Sequence, residues 1–194
     1  MLIRKLRPSM IWLAPPCGTA SKAKDIPAFD HQGNPISLPL RSSDFPDGLP
    51  NLPPHQHSRV LAANTLYTLV AKIICLCEDL RIPWVLENPG NSYMWLTSAL
   101  RSLPAFPSVS LHNCVYGGAR PKLTQLLFHG LDLSPLHLLC DNSHQHLPWK
   151  VNGPYGPEFQ TAVERAYPVA SVKQSYNFSY ITAFVKVSKT SLHR

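Results

Sequence analysis

Hydrophobic and polar positions alternate along this chain in short blocks that change period. Met10 to Ala14 is a brief apolar run that ends at Pro15-Pro16, and it reads as a buried strand. From His57 to Arg81, apolar residues recur at helical spacing through Val60, Leu61, Asn64, Leu66, Leu69, Val70, Ile73, Ile74, Cys77 and Leu80. That stretch predicts an amphipathic helix capped by Ser58, and Pro83 bars its continuation. A second short strand, Trp84 to Leu86, precedes Glu87-Asn88-Pro89-Gly90.

Beyond it, Ser92 to Leu103 predicts a helix, and Val109 to Val115 predicts a third strand. Gly117-Gly118 supplies a turn, and Lys122 to Phe128 predicts a fourth strand that pairs back as a hairpin. Leu131 to Trp149 is irregular and rich in histidine. Glu158 to Ala166 predicts a short helix, and Tyr176 to Val187 is either a strand or an amphipathic helix. Helical period is absent from residues 18–56, where prolines stand at positions 27, 35, 39, 46, 50, 53 and 54, apart from a possible helical turn at Thr19 to Asp25. That segment is a proline-rich insert, longer than an ordinary connection. The order predicts an α/β fold, largely parallel at its front, with a hairpin behind.

Composition narrows the picture. The 194 residues suffice for one domain with a real core; 44% are apolar and 15% charged, which argues against a largely disordered chain. A net charge of +7 suits a polyanionic partner such as DNA. Lys22, Lys24, Arg41, Arg120 and Lys122 are candidate phosphate contacts. Five cysteines without a CxxC pair, and no signal-like apolar run after the basic N-terminus, suggest free thiols in an intracellular setting, cytoplasmic or nuclear. Lys72, Glu78 and Asp79 interrupt the longest apolar stretch, so no membrane span or membrane partner is expected.

Cys17 and Glu87 carry the candidate chemistry, each just past a strand. A thiolate adds to an electron-poor carbon such as C6 of cytosine, and a carboxyl group at N3 draws off the developing charge. Backbone N–H groups of a helical turn at Thr19-Ala20-Ser21 would lower the pKa of Cys17. The plainer readings are a core thiol, a solvated carboxylate and a simple turn at Asn88-Pro89-Gly90. His112, Cys114, Cys140, His144 and His146 include the residue types of a zinc site, yet their spacing is loose. Scattered polar loop residues are the default reading, and no metal is assigned. The tryptophans read as packing residues rather than base-stacking platforms.

Ala14-Pro15-Pro16-Cys17, Leu86-Glu87-Asn88-Pro89 and Tyr116-Gly117-Gly118-Ala119-Arg120-Pro121-Lys122 together resemble the Pro-Cys, Glu-Asn and Tyr-Gly motifs of the cytosine-C5 DNA methyltransferases. The divergent members carried by phages and mobile elements resemble them most. The resemblance covers about residues 8 to 170 and implies a partial Rossmann-like methyltransferase fold. It implies Cys17 as nucleophile, Glu87 as the N3 partner, and Asn88, Arg120, Lys122, Ser21 and Lys22 on the substrate side, with Asn88 also holding its motif in place. Gly18, Pro89, Arg120 and Thr124 depart from the family pattern, and the insert widens the Cys17–Glu87 interval.

The family's S-adenosylmethionine pocket is built upstream of the cysteine, where this chain has 16 residues and no glycine. The resemblance therefore implies one methyltransferase-like domain over residues 1–194, lacking its donor-binding part and inactive without a partner fragment. The alternative is a non-catalytic nucleic-acid-binding remnant. A third reading is a thiol enzyme of another class, pairing Cys17 with His55 or His57.

Overall fold

The computed structural model describes residues 2–147 apart from 27, 30, 31 and 34. The helix expected at Glu158 to Ala166 and the element expected at Tyr176 to Val187 lie outside the described residues. The elements are α1 (Leu2–Leu6), β1 (Ile11–Leu13), β2 (Ala28–Phe29), β3 (Pro35–Ser37), α2 (Pro54–Leu80), β4 (Trp84–Pro89), α3 (Ser98–Arg101), β5 (Ser108–His112) and β6 (Leu123–His129). Short 3₁₀ turns fill Lys22–Asp25, Tyr93–Leu96, Asn113–Tyr116 and Ser134–Leu136.

Four strands form one sheet in the order β1-β4-β6-β5, so the fold is mixed α/β. The largely parallel sheet expected from the sequence is corrected here. β1 pairs with β4 in parallel, whereas β4–β6 and β5–β6 are antiparallel. β1, β4 and β5 still run in one direction. The exception is β6, which turns back from β5 and inserts between β5 and β4, so the expected hairpin is what breaks the parallel pattern. Within the insert, β2 and β3 form a separate antiparallel ladder.

α2 covers one face of the sheet. Its helical run begins three residues earlier than expected, because Pro54 at the first helical position has the required φ and no N–H to waste. Ser58 is not the cap: the capping residue is Pro53, and the Ser58 hydroxyl donates back to the Pro54 carbonyl. Arg81 ends the helix at φ 53°, and its N–H reaches the carbonyls of Cys77 and Glu78. The buried stripe runs Val60, Tyr67, Val70, Ile74, Cys77, while Leu61 and Leu69 face solvent. By length and composition α2 is apolar enough to cross a membrane, and eight of its residues are buried in this fold.

Strand parity divides the core. Ile11, Leu13, Trp84 and Leu86 point to α2, joined by Tyr67, Ile74 and Cys77. Val85, Val109, Leu126 and Phe128 point to the opposite face, where Trp12, Leu111 and Leu136 pack on them. Trp84 is fully buried; Phe106 meets its ring edge-on at 4.9 Å, and its Nε1 donates to Glu78 at 2.6 Å. The expected helix at Ser92 to Leu103 is broken into the Tyr93–Leu96 turn and α3, with Thr97 extended between them.

Candidate functional site

Parallel pairing of Ile11 with Trp84 and Leu13 with Leu86 aligns the carboxyl ends of β1 and β4. Cys17 follows β1 by a few residues. Glu87 is not past its strand, as expected, but inside it. Pairing with β6 carries β4 on through Glu87↔Leu126, Asn88↔Gln125 and Pro89↔Thr124. β1 stops opposite Leu86, so β4 beyond that point has one neighbour, and a residue without an N–H is tolerated there.

The residues around Cys17 are held from two directions. The buried Asn88 side-chain amide donates to the Pro15 carbonyl at 2.9 Å, and the Tyr67 hydroxyl donates to the Pro16 carbonyl at 3.0 Å. The Cys17 carbonyl then accepts from the N–H groups of Ala20 and Ser21 at 2.9 and 2.8 Å. Cys17 is half-buried and unbridged. Its thiol is pushed above the ordinary value, first by burial and further by the Glu87 carboxylate, with the Lys122 ammonium opposing both. This overturns the expectation of a lowered pKa. The chain after Cys17 makes a tight turn, and the 3₁₀ helix starts only at Lys22, so no helical N–H groups are available to offset burial.

The structure brings Cys17, Glu87 and Lys122 into one electrostatic neighbourhood. Lys122 Nζ lies 3.6 Å from Glu87 Oε1. Glu87 projects from the face opposite α2 into a cleft of about 530 Å³, whose walls include Trp12, Leu111, Leu126, Tyr116 and Gly118. The Tyr116-Gly117-Gly118 segment thus borders the same space as Glu87. Gly117 sits at φ 86°, where a side chain is strained. A Cβ on Gly118 would come within 2.8 Å of the Asn113 carbonyl oxygen. The Tyr116 hydroxyl donates to the Leu136 carbonyl at 2.9 Å, closing one wall.

Other expected substrate contacts have structural roles. Asn88 is 1% exposed and belongs to the Pro15 anchor rather than to a substrate surface. Ser21 caps the following 3₁₀ turn by accepting from the Ala23 N–H. Lys22 places its ammonium 5.2 Å from the Tyr93 ring centroid. Arg120 is half-buried in the loop before β6.

Arg41, expected at a phosphate, is 1% exposed. Its guanidinium donates to the Pro46 carbonyl (2.6 Å), Asn64 Oδ1 (2.8 Å) and Thr19 Oγ1 (3.0 Å), and it lies 5.5 Å from the Tyr67 ring. It therefore ties the proline-rich insert to α2 and to the turn after Cys17. Tyr67 escaped the sequence reading, although it falls on the helical stripe between Val60 and Val70. Arg41 left no comparable signal, because an arginine between prolines gives no periodicity.

The histidine-rich segment also differs from its expectation as scattered polar residues. Cys114, Cys140, His144 and His146 bring their ligand atoms within 4.8 Å of one another. His112 is excluded from that group, since its Nδ1 accepts the Cys140 backbone N–H at 2.9 Å.

S-adenosylmethionine would need a carboxylate for its ribose hydroxyls, partners for its amino-acid end and a close backbone cradle. In the cleft that Glu87 enters, which Cys17 does not line, Glu87 is the charged lining residue, and Lys122 already pairs with it. The residues that line this cleft do not supply those groups, and no methyl-transfer step follows from them. The chain matches no protein-family model, no curated protein and no solved structure.

Proposed function

We propose that the chain is a cytosine-C5 methyltransferase-like α/β domain that binds DNA and retains the base-recognition crevice without methyl-donor chemistry of its own. The observation that carries this reading is the meeting of Cys17, Glu87 and Lys122 at the aligned ends of β1 and β4, in motif order and beside the Tyr116-Gly117-Gly118 wall. An extruded cytosine entering the cleft meets Glu87 at its N3 edge once Lys122 moves to a phosphate. In this reading Cys17, whose thiol feels the charges of both Glu87 and Lys122, is the group that attacks ring carbon C6. Asn88 and Tyr67 act as positioning residues for the Pro15-Pro16-Cys17 backbone.

The test uses an oligonucleotide carrying 5-azacytosine, whose ring nitrogen makes C6 more electron-poor. The thiolate adds to C6, the adjacent ring nitrogen takes a proton, and no group leaves. A denaturant-stable adduct mapped to Cys17 and absent in Cys17→Ser supports nucleophilic competence.

A second reading has its own support. Burial holds the Cys17 thiol in its protonated form, and Lys122 occupies Glu87. Both features suit a remnant that binds nucleic acid without chemistry. DNA affinity that falls steeply with salt, is unchanged by Cys17→Ser and yields no adduct supports that reading. A folded chain with no measurable DNA affinity at low salt overturns both.

A further inference from the structure

We propose that Cys114, Cys140, His144 and His146 form a structural zinc site that fastens the 140–146 loop to the wall of the cleft. Two thiols and two imidazoles are a usual ligand set for structural zinc, and four protein ligands leave no open position for catalysis. The spacings suit a tetrahedral ion. Zinc–ligand bonds of about 2.0–2.1 Å to nitrogen and about 2.3 Å to sulfur place tetrahedral ligand atoms roughly 3.3 to 3.8 Å apart. Here Cys140 Sγ is 3.3 Å from His146 Nε2 and 3.8 Å from His144 Nε2, and the His144 and His146 Nε2 atoms, 3.0 Å apart, would spread slightly around an ion. Cys114 Sγ completes the group within the same 4.8 Å envelope.

Cys140 Sγ, His144 Nε2 and His146 Nε2 lie within hydrogen-bonding reach of one another, so the atoms that would bind an ion are already gathered before it arrives. The surrounding contacts support a metal-bound thiolate. The Asn142 N–H points at Cys140 Sγ at 3.3 Å, and the Cys140 N–H is fixed by His112 Nδ1. Cys114 is buried, Cys140 and His146 are half-buried and His144 is exposed, so the site lies at the edge of the fold with its back to the core. Binding converts both thiols to thiolates, releases their two protons to solvent and changes no oxidation state.

Position gives the ion its role. Cys114 belongs to the Asn113–Tyr116 turn, whose Asn113 and Tyr116 border the cleft. The His112 N–H to Leu138 carbonyl bond (3.0 Å) and the Leu147 N–H to Ala119 carbonyl bond (2.8 Å) bracket the same junction. The ion thus cross-links the turn between β5 and β6 to the 140–146 loop. This role is independent of what occupies the cleft.

The full chain, purified with a non-chelating reductant and stripped of metal, is titrated with Co2+ and then Zn2+. The expected result is about one ion per chain, with the visible absorption of tetrahedral cobalt and a thiolate charge-transfer band, both lost on adding zinc. Cys140→Ser with His146→Ala weakens binding by roughly 100-fold or more. Cys75→Ser, an exposed thiol on α2, leaves binding unchanged. His146→Cys retains the ion and shifts the spectrum toward greater thiolate content, which separates loss of a ligand from loss of folding. A folded wild-type chain that takes up no cobalt, or takes it up without the thiolate band, overturns the proposal. Unchanged binding in the double variant overturns it equally.

Discussion

Asn88 donates its side-chain amide to the Pro15 carbonyl at 2.9 Å, linking β4 to the backbone two residues before Cys17. Both residues are buried, and Pro16 has no N–H with which to organise that backbone. A polar side chain at the end of a core-facing strand thus fixes where the cysteine stands. Replacing Asn88 with leucine leaves the Pro15 carbonyl buried without a donor. The expected cost is about 1–3 kcal/mol in urea unfolding. Cys17 alkylation should speed up in the same variant, as the turn loosens. Unchanged stability would show that the bond adds nothing beyond packing.

Arg41 is a second anchor, and its guanidinium donates to neutral acceptors: the Pro46 and Val60 carbonyls, Asn64 Oδ1 and Thr19 Oγ1. Its planar guanidinium reaches acceptors in different directions, which a lysine ammonium on a thinner stem cannot reproduce. Arg41→Lys should therefore destabilise almost as much as Arg41→Met, by about 2–4 kcal/mol. Limited proteolysis checks the mechanism: new cleavage should fall between residues 38 and 50, while α2 stays protected. A lysine variant that resists protease like the wild type would refute it.

These two anchors mark what the sequence could and could not disclose. Period alone located α2, β1, β4 and the β5–β6 hairpin, because burial on one face dictates their apolar spacing. Strand order suggests that Cys17 and Glu87 share one sheet edge; in the structure Lys122 lies 3.6 Å from Glu87 and both charges act on the Cys17 thiol. What escaped depends on contacts distant in sequence. β4 extends through Glu87 to Pro89 because β6 pairs there, and no local pattern encodes a strand's partner. Arg41 reads as a solvated charge until Asn64, Thr19 and Pro46 surround it. The Cys114–His146 cluster has loose spacing because its ligands come from a turn and a loop that meet only after the hairpin folds. The raised pKa of Cys17 is invisible locally for the same reason: burial by the surrounding fold outweighs the backbone hydrogen bond at Cys17.

Cys77 gives the fold an alkaline limit. It is fully buried in the core under α2. Burial, with a smaller push from Glu78, raises its thiol from 9.0 to about 11. A raised folded-state pKa stabilises the fold fully below the unfolded-state value, and that contribution is lost as pH rises toward the folded-state value. Between pH 9.0 and about 11 the wild type should lose about 2 kcal/mol that Cys77→Ala does not lose. The alanine variant starts lower because it leaves a cavity, but its decline over this range should be shallower. Parallel curves for the two proteins would place the alkaline loss elsewhere.

The Glu87–Lys122 pair should matter to reactivity far more than to stability. Both side chains are partly exposed, at 24% and 41%, so the pair itself is worth only about 0–1 kcal/mol. Its two charges nevertheless act on Cys17 with opposite signs: Lys122 favours the thiolate and Glu87 disfavours it. Lys122→Ala should move the alkylation midpoint of Cys17 to higher pH, and Glu87→Gln should move it to lower pH. Site-resolved mass spectrometry of iodoacetamide labelling across alkaline pH measures both, with Cys75 as the exposed internal reference. Adding salt should narrow the gap between the variants, since screening weakens charge interactions that reach solvent. Burial contributes most to the rise, so neither variant should return Cys17 to the ordinary thiol value. Midpoints that shift in the same direction in both variants would mean that Cys17 responds to loosened packing rather than to the two charges.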